Sequence, residues 1–145
     1  VSSLETVAFK AGSKLTEIGM YAFYSAVALT SIHIPASVTY IGPIAFGYAR
    51  KMTSVTFEAD SSLNQIGSSA FFNAEKLTSI AIPIGVTYIG ENAFQDATVL
   101  TNVSLYLETI KYLNNANPSL SIPEGGGIMS DFYGSTGGNV TITVL

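Results

Sequence analysis

Residues 77–97 read LTSIAIPIGVTYIGENAFQDA, and residues 29–49, 48 positions earlier, read LTSIHIPASVTYIGPIAFGYA. Outward from these two copies the same landmarks recur along the chain. Ala-Phe stands at Ala22-Phe23, Ala45-Phe46, Ala70-Phe71 and Ala93-Phe94, so the phenylalanines are spaced 23, 25 and 23 apart. An alanine follows each phenylalanine by three positions (Ala26, Ala49, Ala74, Ala97). An Ile-Gly pair precedes it, with the glycine four positions before (Gly19, Gly42, Gly67, Gly90). A fixed period of this length marks a solenoid, whose coils bury their apolar residues only by stacking on one another.

Each coil carries a segment of the form L-x-x-I-x-I: Leu4 to Phe9, Leu29 to Ile34, Met52 to Phe57, Leu77 to Ile82 and Leu100 to Leu105. Alternation with β-branched residues on one side predicts a short strand with one buried face. Five such strands stacked in register predict a parallel ladder with about 4.8 Å between coils. A turn follows, then a second apolar-polar-polar-apolar unit: Leu15 to Ile18, Val38 to Ile41, Leu63 to Ile66 and Val86 to Ile89. The glycine after it is expected to supply a backbone angle that other residues resist. Ala-Phe is expected to open a helical turn, too short to be stable by itself. Its phenylalanine fills the core, and the alanine three positions on lets neighbouring coils approach.

The connecting turns alternate in length. Five residues stand at Lys10 to Lys14 and Glu58 to Ser62, but three at Pro35 to Ser37 and Pro83 to Gly85. The true unit is therefore a pair of coils, 48 residues long, as a duplicated two-coil ancestor would leave. The longer turns also offer a ridge for binding.

Beyond Leu105 the period fails. Glu108 to Asn115 predicts a short helix stopped by Asn117-Pro118. Ser119-Leu120-Ser121-Ile122-Pro123 echoes the strand of a regular coil, and a flexible loop is expected at Gly125 to Gly127. Phe132 and Val140-Thr141-Ile142 read as a worn copy of the Phe and I-x-I positions. The expected organisation is a solenoid of about five coils over residues 1–105 and a degenerate capping region over 106–145, as solenoids require. Leu4 already begins an ordinary coil, and no initiator Met or leader pattern precedes it, so the chain reads as truncated at its N-terminus.

Composition narrows the functions. Hydrophobic residues make up 48% and charged residues 11% of 145, a balance that suits a solenoid in which every coil has its own interior. The longest apolar run, around Ile80 to Val86, falls far short of the about 20 residues that cross a bilayer. A net charge of −4 and six scattered basic residues argue against nucleic acid. The absence of cysteine excludes disulfides, thiolate catalysis and cysteine-based metal sites.

The pattern L-x-x-I-x-I-P-x-x-V-x-x-I-G-x-x-A-F-x-x-A, clearest over Leu29 to Ala49 and Leu77 to Ala97, resembles the BspA-type leucine-rich repeat. The resemblance covers residues 4–105 well and 119–145 faintly. In that family the position three after phenylalanine is commonly cysteine; alanine replaces it in all four copies here, and both are small and readily buried. The resemblance implies a mainly β solenoid of stacked short parallel strands and short helical turns, 23–25 residues per coil. It also implies a secreted or surface-attached bacterial or protist protein, of a kind linked to adhesion to host matrix proteins and other cells. The family motif consists of core positions, so it transfers no binding residue.

Catalytic chemistry finds little support. His33 is the single histidine, and its equivalents Ala8, Thr56, Ala81 and Ser104 form no triad or acid–base pair. Glu58 and Asp60 share a turn without the run of a calcium loop. Gly125 to Gly127 lacks the Lys-Ser/Thr of a phosphate cradle. Asn102-Val103-Ser104 and Asn139-Val140-Thr141 match the glycan acceptor pattern but fall in predicted strands.

Two outward faces remain. On the main ladder Thr6, Ala8, Ser31, His33, Ser54, Thr56, Ser79, Ala81, Asn102 and Ser104 are expected to form a flat uncharged surface for an extended partner. On the second strand Glu17, Tyr40, Gln65 and Tyr88 align, with the two tyrosines about 10 Å apart. They can cradle a sugar chain or simply shield the ladder edge. The expected function is a non-catalytic extracellular interaction module that takes a protein or cell-surface ligand, host matrix proteins included, and needs no cofactor or metal. The alternatives are a carbohydrate-binding module and a structural spacer within a larger surface protein.

Overall fold

The computed structural model describes residues 2–119, 121–129, 132–135 and 138–145. Val1, and Leu120 of the strand-like echo, lie outside the described residues. In chain order the elements are β1 (Glu17–Ile18), β2 (Ser31–Ile34), β3 (Tyr40–Ile41), β4 (Ser54–Phe57), β5 (Gln65–Ile66) and β6 (Ser79–Ala81). They continue with β7 (Tyr88–Ile89), β8 (Asn102–Leu105), α1 (Leu107–Ala116), β9 (Gly127–Met129) and β10 (Val140–Val144). The chain winds as a parallel solenoid, mainly β, with strands alternating between two ladders.

Alternation sets the core. β2 is buried only at Ile32 and Ile34, and the isoleucine of every second strand, from Ile18 to Ile89, faces the same interior. Phe46, Phe71 and Phe94 are fully buried, and Phe23 at the first coil is half-buried. Rings 23, 46, 71 and 94 stack nearly parallel, with centroids 5.2, 5.3 and 5.4 Å apart. That spacing is close to the strand-to-strand distance of about 4.8 Å, so the aromatic column keeps step with the backbone. Ala26, Ala49, Ala74 and Ala97 are all buried beside it.

The glycine column works differently from the expectation. Gly19, Gly42, Gly67 and Gly90 have no positive φ, so an unusual backbone angle is not their role. Gly42, Gly67 and Gly90 are required by close approach, whereas Gly19 at the first coil is not. A Cβ on Gly42 would sit 2.6 Å from Met20 N, one on Gly67 2.6 Å from Pro43 N, and one on Gly90 2.3 Å from Ser68 N. Each amide meanwhile donates to the coil before, Gly42 to Ile18 O, Gly67 to Ile41 O and Gly90 to Ile66 O, all at 2.7 Å.

The Ala-Phe segments are not helical turns. Each is a chain of β-turns with left-handed residues two before and two after the phenylalanine, as at Ile44 and Tyr48 or Ser69 and Asn73. Reversing φ at these two positions, four residues apart, splits the amides into two sets. Ile44, Phe46 and Tyr48 donate to Ser68, Ala70 and Phe72 of the next coil, while Ala45, Gly47 and Ala49 close turns within their own coil. A helix would aim all its amides along one internal axis and leave the coils unjoined on this wall.

The first ladder is not one sheet of five strands. β2 pairs with β4, and β6 with β8, both parallel and in register, but β4 and β6 are unpaired. Leu4 to Phe9 contributes one bridge, Thr6 to Ser31. The second ladder, β1-β3-β5-β7, is continuous. The cause lies in the turns. The five-residue turn of the third coil is fastened to the second coil, with Ala36 N donating to Glu58 Oε2 and Ser62 N to Ala36 O, both at 2.8 Å. The next strand is drawn the other way, with Ile82 N donating to Ser104 O at 2.9 Å.

At the C-terminal end, β10 adds to β8 in parallel, so the strand expected at Val140-Thr141-Ile142 takes this rung, with Ile142 and Val144 opposite Val103 and Leu105. Ile122 is instead held by the Asn114 amide, which donates to Ile122 O and accepts from Ile122 N, standing in for a strand. The triple glycine does not form a loop alone, since Gly127 opens β9, antiparallel to β10. Phe132 continues the aromatic column, 5.5 Å from Phe94. On the second ladder α1 packs beside β7, burying Ile110 and Leu113. Its buried Thr109 hydroxyl donates to Ile84 O at 3.0 Å.

These packing roles separate the glycines experimentally. Gly67→Ala forces a methyl group into backbone and is expected to cost about 2–3 kcal/mol in urea unfolding. Gly19→Ala, with nothing within 4 Å of the added Cβ, is expected to leave the midpoint nearly unchanged.

Candidate functional site

The outer face of the first ladder brings the predicted residues into rows. Ser31 lies opposite Ser54 and His33 opposite Thr56; past the unpaired joint, Ser79, Asn102 and Thr141 form one row and Ala81, Ser104 and Thr143 another. Ser31, His33, Thr56 and Ser79 are exposed, while Ser54, Asn102 and Ser104 are half-buried. Neighbouring rungs cover them: Asn102 Nδ2 donates to Thr143 Oγ1 at 3.1 Å. His33 Nδ1 lies 2.8 Å from Thr56 Oγ1, a hydrogen bond across the rung. Among the described residues, no three His, Asp or Glu side chains are grouped to hold a metal ion.

The joint between the third and fourth coils breaks this flatness. A groove of about 500 Å³ runs there between the long turn of one coil and the short turn of the next. Thr56, Phe57, Glu58 and Asp60 form one wall, and Ala81, Ile82 and Ile84 the other, with Tyr106 and Leu145 at the end. One residue distinguishes this joint from the equivalent joint between the first and second coils. There, the Ser37 hydroxyl is shared between Ser13 O at 2.9 Å and Leu15 O at 2.7 Å, tying short turn to long. At the corresponding place in the fourth coil stands Gly85, which has no side chain to make the tie.

Glu17, Tyr40, Gln65 and Tyr88 form a single column on the second ladder. Tyr40 is half-buried and Tyr88 exposed, so they do not offer equal surfaces. Tyr88 belongs to a concavity, a cleft of about 510 Å³ between β7, the end of α1 and residues 133–134. Burial first, and the charge of the neighbouring Tyr88 phenol second, raise the Tyr133 hydroxyl well above the ordinary tyrosine range. It stays a neutral donor and acceptor.

An aromatic row on the turn wall escaped the sequence reading. Tyr21, Tyr24, Tyr48 and Phe72 contact edge to face at 5.5, 5.6 and 5.0 Å. The Arg50 guanidinium lies 5.4 Å from the Tyr48 ring centroid, and Arg50 pairs with Glu75 at 3.4 Å. These residues sit one or two places after the conserved-spacing phenylalanines, or two before, at positions that differ from coil to coil, so no period announces them.

The repeat geometry matches a known family: the BspA type leucine-rich repeat region fits residues 2–120 in six copies. The chain belongs to the BspA-type leucine-rich repeat family. Among solved structures it is similar to the pneumococcal vaccine antigen PcpA, with 34% identity and a TM-score of 0.65 over 70% of this chain. It is also similar to a leucine-rich repeat protein from Bacteroides capillosus, with 31% identity and a TM-score of 0.56 over 63% of this chain. The chain spans 25% of the pneumococcal antigen and 63% of the Bacteroides protein. No curated protein matches it significantly.

Two outcomes follow from these local geometries. Gly85→Ser, at a residue without positive φ, is expected to restore the missing tie, raise stability by about 1 kcal/mol in urea unfolding and narrow the groove. Stability is expected to be at its full value below about pH 10, where an unfolded tyrosine ionises, and to fall as pH rises further. Above that value the unfolded chain gives up the Tyr133 proton and the folded one does not. Tyr133→Phe is expected to reduce the slope of stability against alkaline pH by up to about 1.4 kcal/mol per pH unit.

Proposed function

We propose that this BspA-type repeat is a non-catalytic module that binds another protein along the outer face of its first ladder. The observation that carries the reading is the groove between β4 and β6, the place where an otherwise flat, uncharged face becomes concave. Its apolar Phe57 and Ile84, with buried Ile82 behind them, suit the side chains of an extended segment, and Glu58 and Asp60 at its rim favour a segment that carries basic residues. Rows of small hydroxyl and amide side chains on either side let such a segment lie close to the backbone. Surface location fits the naming of a relative as a vaccine antigen. The ligands to try first are host matrix proteins and other cell-surface proteins. No helix among the described residues is long and apolar enough to cross a membrane. Nucleic acid is a poor partner for a chain of net charge −4.

Residues 106–145 act, in this reading, as the cap of a solenoid formed by residues 1–105. β10 and Phe132 extend the first ladder and the aromatic column, and α1 covers the β7 edge, so binding is left to the lateral faces.

The test is a matrix- and surface-protein array, followed by surface plasmon resonance on any hit. Thr56→Arg and Ala81→Arg, both at exposed positions on opposite walls, are expected to weaken a genuine ladder ligand at least about tenfold, with an unchanged thermal midpoint. Tyr88→Ala is expected to leave that affinity intact. A ligand that tolerates both arginines would show that the ladder is not the binding face.

A further inference from the structure

The cleft at the end of the second ladder lies apart from the groove. It exists because the repeat stops there. Where a fifth rung would pair with β7, α1 packs instead, and a helix is about twice as wide as a strand. The helix ends at Asn117, whose amide bonds Leu113 O at 2.9 Å, and space remains beside it. Gly134 closes the far side with φ +86, and a Cβ there would come 3.2 Å from Asn92 Oδ1, so the loop backbone is held against that side-chain amide.

We propose that this cleft binds a neutral, hydroxyl-rich saccharide. Its polar groups are the phenols of Tyr88 and Tyr133, the amides of Asn92 and Asn117 and the carboxylate of Glu91. Phenols and primary amides each donate and accept, as sugar hydroxyls do, so vicinal hydroxyl groups can be matched in both directions. Ala116 and the exposed Tyr88 ring supply apolar surface for the C–H face of a sugar ring, with buried Ile89 and Leu113 behind them. The lining holds no Lys, Arg or His, which counts against phosphate, sulfate and acidic sugars. At about 510 Å³ the cleft falls within the usual range for small-ligand sites.

The test is a titration with neutral trisaccharides (cellotriose, chitotriose and maltotriose), read from the backbone amide NMR signals of Tyr88, Glu91 and Asn92. n-Butylamine and inorganic phosphate serve as counter-probes. At least one trisaccharide is expected to shift those signals saturably and to keep its affinity at high salt. Asn117→Ala, which retains the backbone bond at the helix end, and Tyr133→Phe are each expected to weaken it about tenfold. The proposal is overturned if no trisaccharide shifts these amides, if the shifts gather on the first ladder, or if n-butylamine or phosphate binds there in place of a sugar. Folding of each variant is checked by the dispersion of the remaining amide signals, and Glu91→Gln, which keeps hydrogen bonding without charge, is expected to retain saccharide binding.

Discussion

Backbone touches backbone at the glycine column, and that contact governs the rest of the molecule. With 2.3 to 2.6 Å between the place of a Cβ and the previous coil's amide nitrogens at Gly42, Gly67 and Gly90, a side chain there would hold two coils apart. Closing that distance brings the phenylalanine rings to 5.2–5.4 Å with interplanar angles of 2–9°. It also aligns the β-turn amides with carbonyls of the next coil. The glycine follows the second strand directly, so the second ladder is drawn tight and runs unbroken from β1 to β7. The first ladder stands on another wall, away from this contact, and its joints are set by whatever fastens the turns.

Those fastenings alternate with the two-coil period. At the joints within a pair, Thr53 and Thr101 on the first strands send their hydroxyls to Thr30 O and Thr78 O. At the joints between pairs, Thr39 and Thr87 make the same bond from the second strands, to Thr16 O and Asn64 O. Each coil thus makes a threonine hydroxyl bond to its predecessor on one wall only, and the first ladder is unpaired or thinly bridged at every second joint. Ser37 closes one loose joint and Gly85 leaves the other open. The groove thus lies at the loose joint that lacks this hydroxyl tie, and Tyr106 and Leu145 close its end.

The periodic part of this structure could be read from the sequence because a repeat states its own evidence several times. Positions of the inward isoleucines, the phenylalanine column, the small alanines and the outward rows on both ladders all follow from period and alternation. What could not be read there depends on geometry between coils. The glycines looked like conformational residues because glycine often is one; their need for space appears only once the preceding coil is in place. The left-handed turns were hidden because Tyr21, Ile44, Ser69 and Asn92 share a backbone angle and no side-chain type. The break between β4 and β6 arises from opposed pulls by Ala36 and Ser104, which lie far apart in sequence. Residues 119–123 looked like a strand because their alternation is right, yet Asn114 answers the backbone of Ile122 and β10 takes the rung.

Regularity also explains where chemistry can reside. A repeat that satisfies every wall presents the same small polar residues coil after coil, and a flat array of serine and threonine has few ways to select a partner. Selectivity needs a departure from the pattern. Among the described residues two concave departures of similar volume stand out, one at the joint that lacks the Ser37 tie and one where a helix replaces a strand. They differ in chemistry for a structural reason. The groove is cut into the first ladder, so its walls are exposed ends of core strands and it is largely apolar with acidic rims. The cleft is bounded by a helix end and a turn, and it is rich in amides and phenols. The two proposed sites thus lie on different walls of one scaffold, a protein segment suiting the first and a small polar ligand the second.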